Sequence, residues 1–298
     1  MDDILSLKKT ASRPDLIELS MAIWSGFLSR FSECYMKCAQ EPSCLSLLYN
    51  RAFQSCHIFN IIYDSDGNGS IDYYWVLDNR SSRWAPKSCL DVKICSDITT
   101  NGEFWIYPTA TDGKRTKVFC HTLATEPSHF ITLKNMNSFF QHDSSNLINT
   151  SIACQSSMKP PLKRVEFTKI KIQIEDMEVV GGDYTFTSVT GSPTIKYGES
   201  DDCNGPYRLD PCPHFGHAVI DTRGTGLIVD PNITFGLTFD YKAEMKDFIR
   251  SADGSQISFL CAGWCSKCGP TSGPIKLLLS TEFISATDAR PVTCRSKQ

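Results

Sequence analysis

A chain of 298 residues with a formal net charge of −3 is long enough for two modest domains and lacks the positive charge that a nucleic-acid surface requires. Its fourteen cysteines suit disulfides in an oxidising compartment and argue against a reducing cytosol. No apolar run reaches the length of a membrane span, so a transmembrane segment is not expected.

The N-terminus, Met1 to Leu7, is acidic and has no apolar core of the kind a secretory signal needs. Four Asn-x-Ser/Thr triplets, at Asn68, Asn79, Asn149 and Asn232, nevertheless agree with secretion and are the candidate glycosylation sites. The reconciling expectation is an incomplete N-terminus, with residues 1–18 as its remaining tail. The patch Met21 to Leu28 reads as a core strand.

Cys34 and Cys38 stand one helical turn apart, and Ser32 reads as the N-cap of the helix that carries them. Cys44 to Tyr49 and Arg51 to Phe59 read as a strand, a turn and a returning strand. On Glu33-Cys34-Tyr35-Met36-Lys37-Cys38 through Cys44, with Tyr49-Asn50 and Cys56, the chain resembles the PAN/Apple family over residues 19–78. The resemblance implies a small antiparallel sheet carrying one helix, with Cys34 paired to Cys56 and Cys38 to Cys44. It also implies binding to proteins or sugars, by analogy of fold.

Asp64 to Asp72 imitates the start of an EF-hand loop, but Trp75 stands where a closing Glu belongs, so a polar β-turn is the reading. Residues 79–87 read as a linker. From Ser88 onward Cys89, Asn101-Gly102-Glu103, Trp105 to Pro108 and Val118-Phe119-Cys120 form a strand, turn, strand unit that Cys89 and Cys120 could clasp. This stretch also resembles the opening of fibrinogen-like domains, a likeness that stops at Cys120. Further strands are expected at Phe130 to Lys134, Val165 to Ile174, Tyr184 to Val189, Ala218 to Asp221, Thr234 to Asp240 and Ile257 to Cys261, with one short helix at Ala243 to Arg250. The fold class is therefore mainly β, an α+β N-terminal module followed by a disulfide-rich antiparallel domain, expected as a sandwich.

Cys89, Asn101-Gly102-Glu103, Val118-Phe119-Cys120, Ile131 to Lys134, Arg223 to Leu227 and the cluster Cys261, Cys265 and Cys268 with Ser272-Gly273 together resemble the GON domain over residues 88–294, leaving 295–298 as a tail. That module closes certain ADAMTS-type secreted metalloproteases. The resemblance implies an extracellular, cysteine-rich, non-catalytic module, the zinc of the parent enzymes being held by a separate domain.

The residues themselves bear on catalysis. A zinc protease needs two His one helical turn apart with a Glu between them, and no His-Glu-x-x-His occurs. His214 and His217 lie three apart in a Pro/Gly stretch with no carboxylate between them, and the bland reading there is a loop clasped by Cys203 and Cys212. Zinc on His214, His217, Cys261, Cys265 and Cys268, with Cys294 as a further candidate ligand, is an alternative that disulfides outweigh in an oxidising compartment. No cofactor is required on this reading. Lys159, Lys163, Arg164, Lys169 and Lys171 form the strongest basic run, a candidate glycan-binding face or the solvated face of a strand.

The expectation is thus an extracellular, non-enzymatic interaction protein whose partners are matrix or cell-surface proteins and glycans. The alternatives are the C-terminal part of an ADAMTS-like zinc metalloendopeptidase and a fibrinogen-like sugar-binding module.

Overall fold

Strand pairing dominates the chain in a computed structural model, which describes residues 7–10, 17–63, 73–77, 83–96, 98–142, 163–191, 195–201, 214–239, 244–263, 267–282 and 284–295. The chain divides into two compact units, Met1–Phe130 with Phe283–Gln298, and Ile131–Glu282. The fold is mainly β, and every strand pair described here is antiparallel.

The first unit holds β1 (Leu7–Thr10), β2 (Trp24–Phe27), helix α1 (Phe31–Gln40), β3 (Ser46–Asn50), β4 (Ser55–Phe59) and β5 (Tyr73–Leu77), its sheet running β1-β5-β3-β4-β2. Residues 46 to 49 of β3 are all buried, because both faces of this central strand are covered. Leu47, Tyr49 and Ile58 face a cluster with Cys34, Cys38, Cys44 and Cys56 beneath α1. Leu48, Phe59 and Tyr74 belong to a second cluster, with Trp105, Tyr107, Ala286 and Ala289. The period of two along a strand explains the split, since neighbours face opposite sides. Met21 to Leu28, expected as a core strand, does hold the strand β2 after a 3-10 turn at Leu19–Met21, but β2 lies at the edge of the sheet and its Phe27 is 84% exposed.

The unit continues with β6 (Arg83–Trp84), α2 (Cys89–Cys95), β7 (Gly102–Ile106), β8 (Thr116–His121) and the start of β9 (Ser128–His142). Cys89 opens a helix, where a strand was expected. The Ser88 side chain accepts from Asp91 N at 3.1 Å and caps that helix, while Asp91 accepts from Lys87 N at 2.8 Å. Residues 83–87 do not read as a spacer in the fold: Arg83 is 2% exposed, and β6 pairs with Cys294–Arg295. The C-terminal residues also reach the second cluster, where the Glu18 carboxylate accepts from Ser285 Oγ at 2.7 Å and Ala286 N at 2.6 Å.

The second unit contains β9 from Ile131 onward, β10 (Arg164–Gln173), β11 (Glu178–Val179), β12 (Thr187–Thr190), β13 (Ser200–Asp201), β14 (His214–Asp221), β15 (Leu227–Val229), β16 (Phe235–Phe239), β17 (Glu244–Arg250), β18 (Gln256–Gly263), β19 (Lys267–Pro270) and β20 (Leu277–Leu279). The main sheet runs β11-β10-β9-β14-β18-β17, with β12 also on β10. Two smaller sheets, β13-β19-β16 and β15-β20, accompany it. Ala218 lies between Phe139 and Phe259 in register, and all three are buried. Phe235 of the small sheet meets Phe259 of the main one at 5.7 Å between ring centroids. The expected helix at Ala243 to Arg250 is corrected to the edge strand β17 over Glu244–Arg250, most of whose side chains are exposed.

Candidate functional site

Helix α1 and the edge strand β2 enclose a groove of about 320 Å³ lined by Trp24, Leu28, Ser32, Glu33, Met36, Lys37 and Gln40. Glu33, Met36, Lys37 and Gln40 follow the i, i+3, i+4, i+7 spacing of one helix face, while Cys34 and Cys38 on another face are buried. One face of the helix is therefore consumed by the core and an adjacent one is left to the groove.

The walls are held firmly. Cys34–Cys56 ties α1 to β4, and Cys38–Cys44 closes the turn after the helix. The Phe31 ring packs tilted against Trp75 at 4.7 Å and edge-on against Tyr49 at 6.0 Å, anchoring the first turn. The helix starts after Arg30, whose N–H donates to Glu33 Oε2 at 3.1 Å, so the expected Ser32 cap is replaced by an earlier start. At the other end the Arg83 guanidinium donates to the carbonyls of Cys38 at 3.1 Å, Ala39 at 2.7 Å and Glu41 at 2.6 Å. These are the acceptors a helix C-terminus leaves open, and a buried cation there also suits the helix dipole. Hydrogen bonds from the Ser43 hydroxyl and N–H keep the Glu41 carboxyl below the usual range.

The floor depends on Gly26. A Cβ there would meet two Trp24 ring atoms at 2.6 Å, so the indole lies across the glycine. Lys37 Nζ sits 5.1 Å from the Trp24 ring centroid. Met36 is 51% exposed, Phe27 at the end of β2 is 84% exposed, and Phe53 in the β3–β4 turn is 73% exposed. Together these give a mainly apolar groove with Glu33, Lys37 and Gln40 at its rim, next to a strand paired on one side only. Such a surface can accept an extended segment along β2 with an apolar side chain in the groove. Sequence reasoning missed it, although the Trp24-x-Gly26 pattern and the 33, 36, 37, 40 spacing carried the signal.

The residues singled out from sequence are placed as follows. Cys89 is bonded to Cys120, Cys95 to Cys294 and Cys261 to Cys268. Cys203, Cys212 and Cys265 lie outside the described residues, as do Asn68, Asn79, Asn149, Lys159 and the turn at 64–72. The alternative zinc set is corrected, because Cys261, Cys268 and Cys294 are consumed in covalent pairs and offer no thiolate. His214 and His217 lie on β14, not in a loop. The His217 ring packs against Phe140 at 4.9 Å. Among the described residues no group of three His, Cys, Asp or Glu is arranged to hold a metal ion.

The basic run also needs correction. Lys163 is 3% exposed with Nζ 3.5 Å from Asp201, Arg164 pairs with Glu166 at 2.7 Å, and Lys171 pairs with Asp183 at 3.2 Å. Lys169 donates to Thr132 Oγ1 at 2.6 Å. Lys163 is thus buried like Val165 and Phe167, whereas Arg164, Lys169 and Lys171 stay partly exposed, Arg164 and Lys171 each beside a carboxylate, so Lys163 adds nothing to a cationic face.

The second unit has its own polar centre. Asn137, fully buried, donates to Tyr197 Oη at 2.7 Å and accepts from Asp221 N at 2.9 Å. The Asp221 carboxylate accepts from Asn135 at 3.0 Å, from Arg223 Nε at 2.9 Å and from Gln256 at 3.2 Å. Burial alone would raise the Asp221 pKa, but the hydrogen bonds and charge of Arg223 outweigh it and hold the carboxyl below its ordinary range. Burial pushes the Tyr197 hydroxyl up, leaving a neutral partner for Asn137. Every one of these groups is matched within the fold, which marks the network as structural.

Comparison with known proteins places both halves. The PAN domain profile matches residues 18–89, and the GON domain profile matches residues 86–280. A disintegrin and metalloproteinase with thrombospondin motifs 20 from Mus musculus is 23% identical over 196 residues, covering 61% of this chain and 10% of its own length. A disintegrin and metalloproteinase with thrombospondin motifs gon-1 from Caenorhabditis elegans is 22% identical over 197 residues, covering 62% of this chain and 9% of its own length. The Homo sapiens thrombospondin motifs 20 protein is 22% identical over 206 residues, covering 64% and 10%. The chain thus spans about a tenth of the length of the curated relatives it matches. No solved structure matches.

Proposed function

Because this chain belongs to the GON domain family and carries a PAN domain ahead of its GON match, we propose that it is an extracellular, non-catalytic recognition protein. The observation that carries the reading is the rigid groove between α1 and β2. Its apolar floor and one-sided edge strand suit a matrix or cell-surface protein that presents an extended segment with a large apolar side chain. The disulfides support an oxidising compartment, since all ten described cysteines are paired.

Binding of the full chain to arrays of purified matrix proteins, cell-surface proteins and glycans tests the proposal. A protein ligand whose binding is lost in Trp24→Ala supports it. Binding confined to glycans, or protein binding indifferent to Trp24→Ala, sinks the groove reading.

A second reading draws on the relatives. The chain would be part of a longer ADAMTS-like metalloendopeptidase, as a match covering about a tenth of such proteins suggests. Full-length transcripts from the same locus decide it: a coding frame containing His-Glu-x-x-His upstream supports this reading, and a secretory signal leading directly into the PAN domain removes it.

A further inference from the structure

The turn between β15 and β16 presents Asn232 under conditions that differ from those of an ordinary loop. Asp230-Pro231-Asn232-Ile233 forms a β-turn in which Ile233 N donates to Asp230 O at 3.0 Å, with Pro231 at the position that favours its fixed φ. The Asp230 carboxylate accepts from Asn232 N at 2.8 Å. From beneath, the Arg250 guanidinium donates to the carbonyls of Asp230 at 2.8 Å, Pro231 at 3.0 Å and Ile233 at 3.1 Å. Ile233 is buried, whereas Asn232 and Thr234 are exposed. No hydrogen bond involves the Asn232 side-chain amide among the described residues.

We propose that Asn232, in the triplet Asn232-Ile233-Thr234, is an N-linked glycosylation site. Asn232 Nδ2 would attack the anomeric carbon of a lipid-linked diphosphate oligosaccharide. The carbon–oxygen bond to the diphosphate breaks, a carbon–nitrogen bond forms, Nδ2 loses one proton and the lipid diphosphate leaves, with no change of oxidation state.

The structure also sets the order of events. In the folded chain the Thr234 hydroxyl lies 2.9 Å from Thr271 Oγ1, and Thr271 N donates to Thr234 O at 2.8 Å as β16 meets β19. A transferase that reads the hydroxyl of the third triplet residue must therefore act before that pairing. The chain allows it, because Thr271 follows Thr234 by 37 residues in synthesis. The exposed turn then accommodates the added sugar without loss of any packed contact.

The inference rests on the extracellular reading only for its occurrence in nature, so the test supplies secretory entry independently. The full chain is expressed behind a cleavable secretory signal sequence, and cell lysate is treated with a peptide-N-glycosidase in heavy-oxygen water before mass spectrometry. The expected result is label on the Asn232 peptide. One glycan step should be lost from the intact chain in Asn232→Gln and in Thr234→Ala, and retained in Thr234→Ser. An unlabelled Asn232 in a chain whose disulfides show that it entered the secretory pathway overturns the assignment. The natural N-terminus is followed separately: a chain that stays in the cytosol without an added signal counts against the extracellular reading, and the Asn232 assignment is still decided by the signal-bearing chain.

Discussion

The two units solve the same problem by different means. The first carries four of the five described disulfides and two buried clusters, whereas among the described residues the second shows one disulfide, beside a long sheet with a buried polar centre. A small sheet with one helix buries too little surface to be secure by packing alone, so covalent ties substitute for core. A sheet of six strands and more covers its own interior, and its one described disulfide has the narrower task of joining β18 to β19.

The largest effect that would break this comparison lies in the first unit. Cys95 and Cys294 close a loop with a sequence separation of 199. Replacing both with Ser should lower stability by about 5 kcal/mol on loop-entropy grounds, against about 2 kcal/mol for Cys261 and Cys268, whose separation is 7. Denaturant unfolding measures both, and equal losses would contradict the covalent account of the first unit. Next comes Arg83→Met, which removes the guanidinium donations to the carbonyls of Cys38, Ala39 and Glu41, of which Cys38 and Glu41 keep a backbone donor in Glu41 N and Cys44 N. A loss of about 2–3 kcal/mol is expected, with faster amide exchange in the last turn of α1. Normal exchange there would deny Arg83 its capping role.

In the second unit Asp221→Asn should cost about 1–2 kcal/mol at neutral pH, since a neutral amide weakens the pairing with Arg223. The pH dependence has a definite sign. Asp221 and Asp183 both ionise below the ordinary carboxylate range in the fold, so their stabilisation is present above the unfolded value of about 3.9 and is lost as pH falls through the lower folded values. Melting temperature should drop below about pH 4 and drop less steeply in Asp221→Asn. An identical acid slope in the variant would remove Asp221 as a source. The smallest stability effect is expected at the groove. Met36→Glu changes a half-exposed side chain and should shift stability by less than about 0.5 kcal/mol.

Much of the fold could be read from residue pattern, and the exceptions have physical causes. Val165 to Ile174 alternates because β10 buries one face, and the pattern stated a strand. Glu244 to Arg250 misled because Glu, Met, Lys and Arg favour helices, while pairing with β18 overrides propensity at an edge strand exposed on both sides. Cys89 was grouped with a strand, turn, strand unit although Ser88 ahead of it and Asp91 after it stood at the N-cap and N3 positions of a helix. The partner of Cys95 was not legible, since a bond across 199 residues leaves no local trace. The groove was hidden for a related reason: it exists only where a helix face and an edge strand meet, and Met21 to Leu28 looked like core because apolar residues alone do not say which side of a strand is covered.

The most direct test of the central claim is a binding titration of the wild-type chain and Met36→Glu against each protein ligand found on a defined panel of matrix and cell-surface proteins. The account predicts that a charge placed in the groove weakens binding at least about tenfold, about 1.4 kcal/mol, while the melting temperature is unchanged. Equal affinity for the two chains, or no protein ligand on the panel, would contradict it.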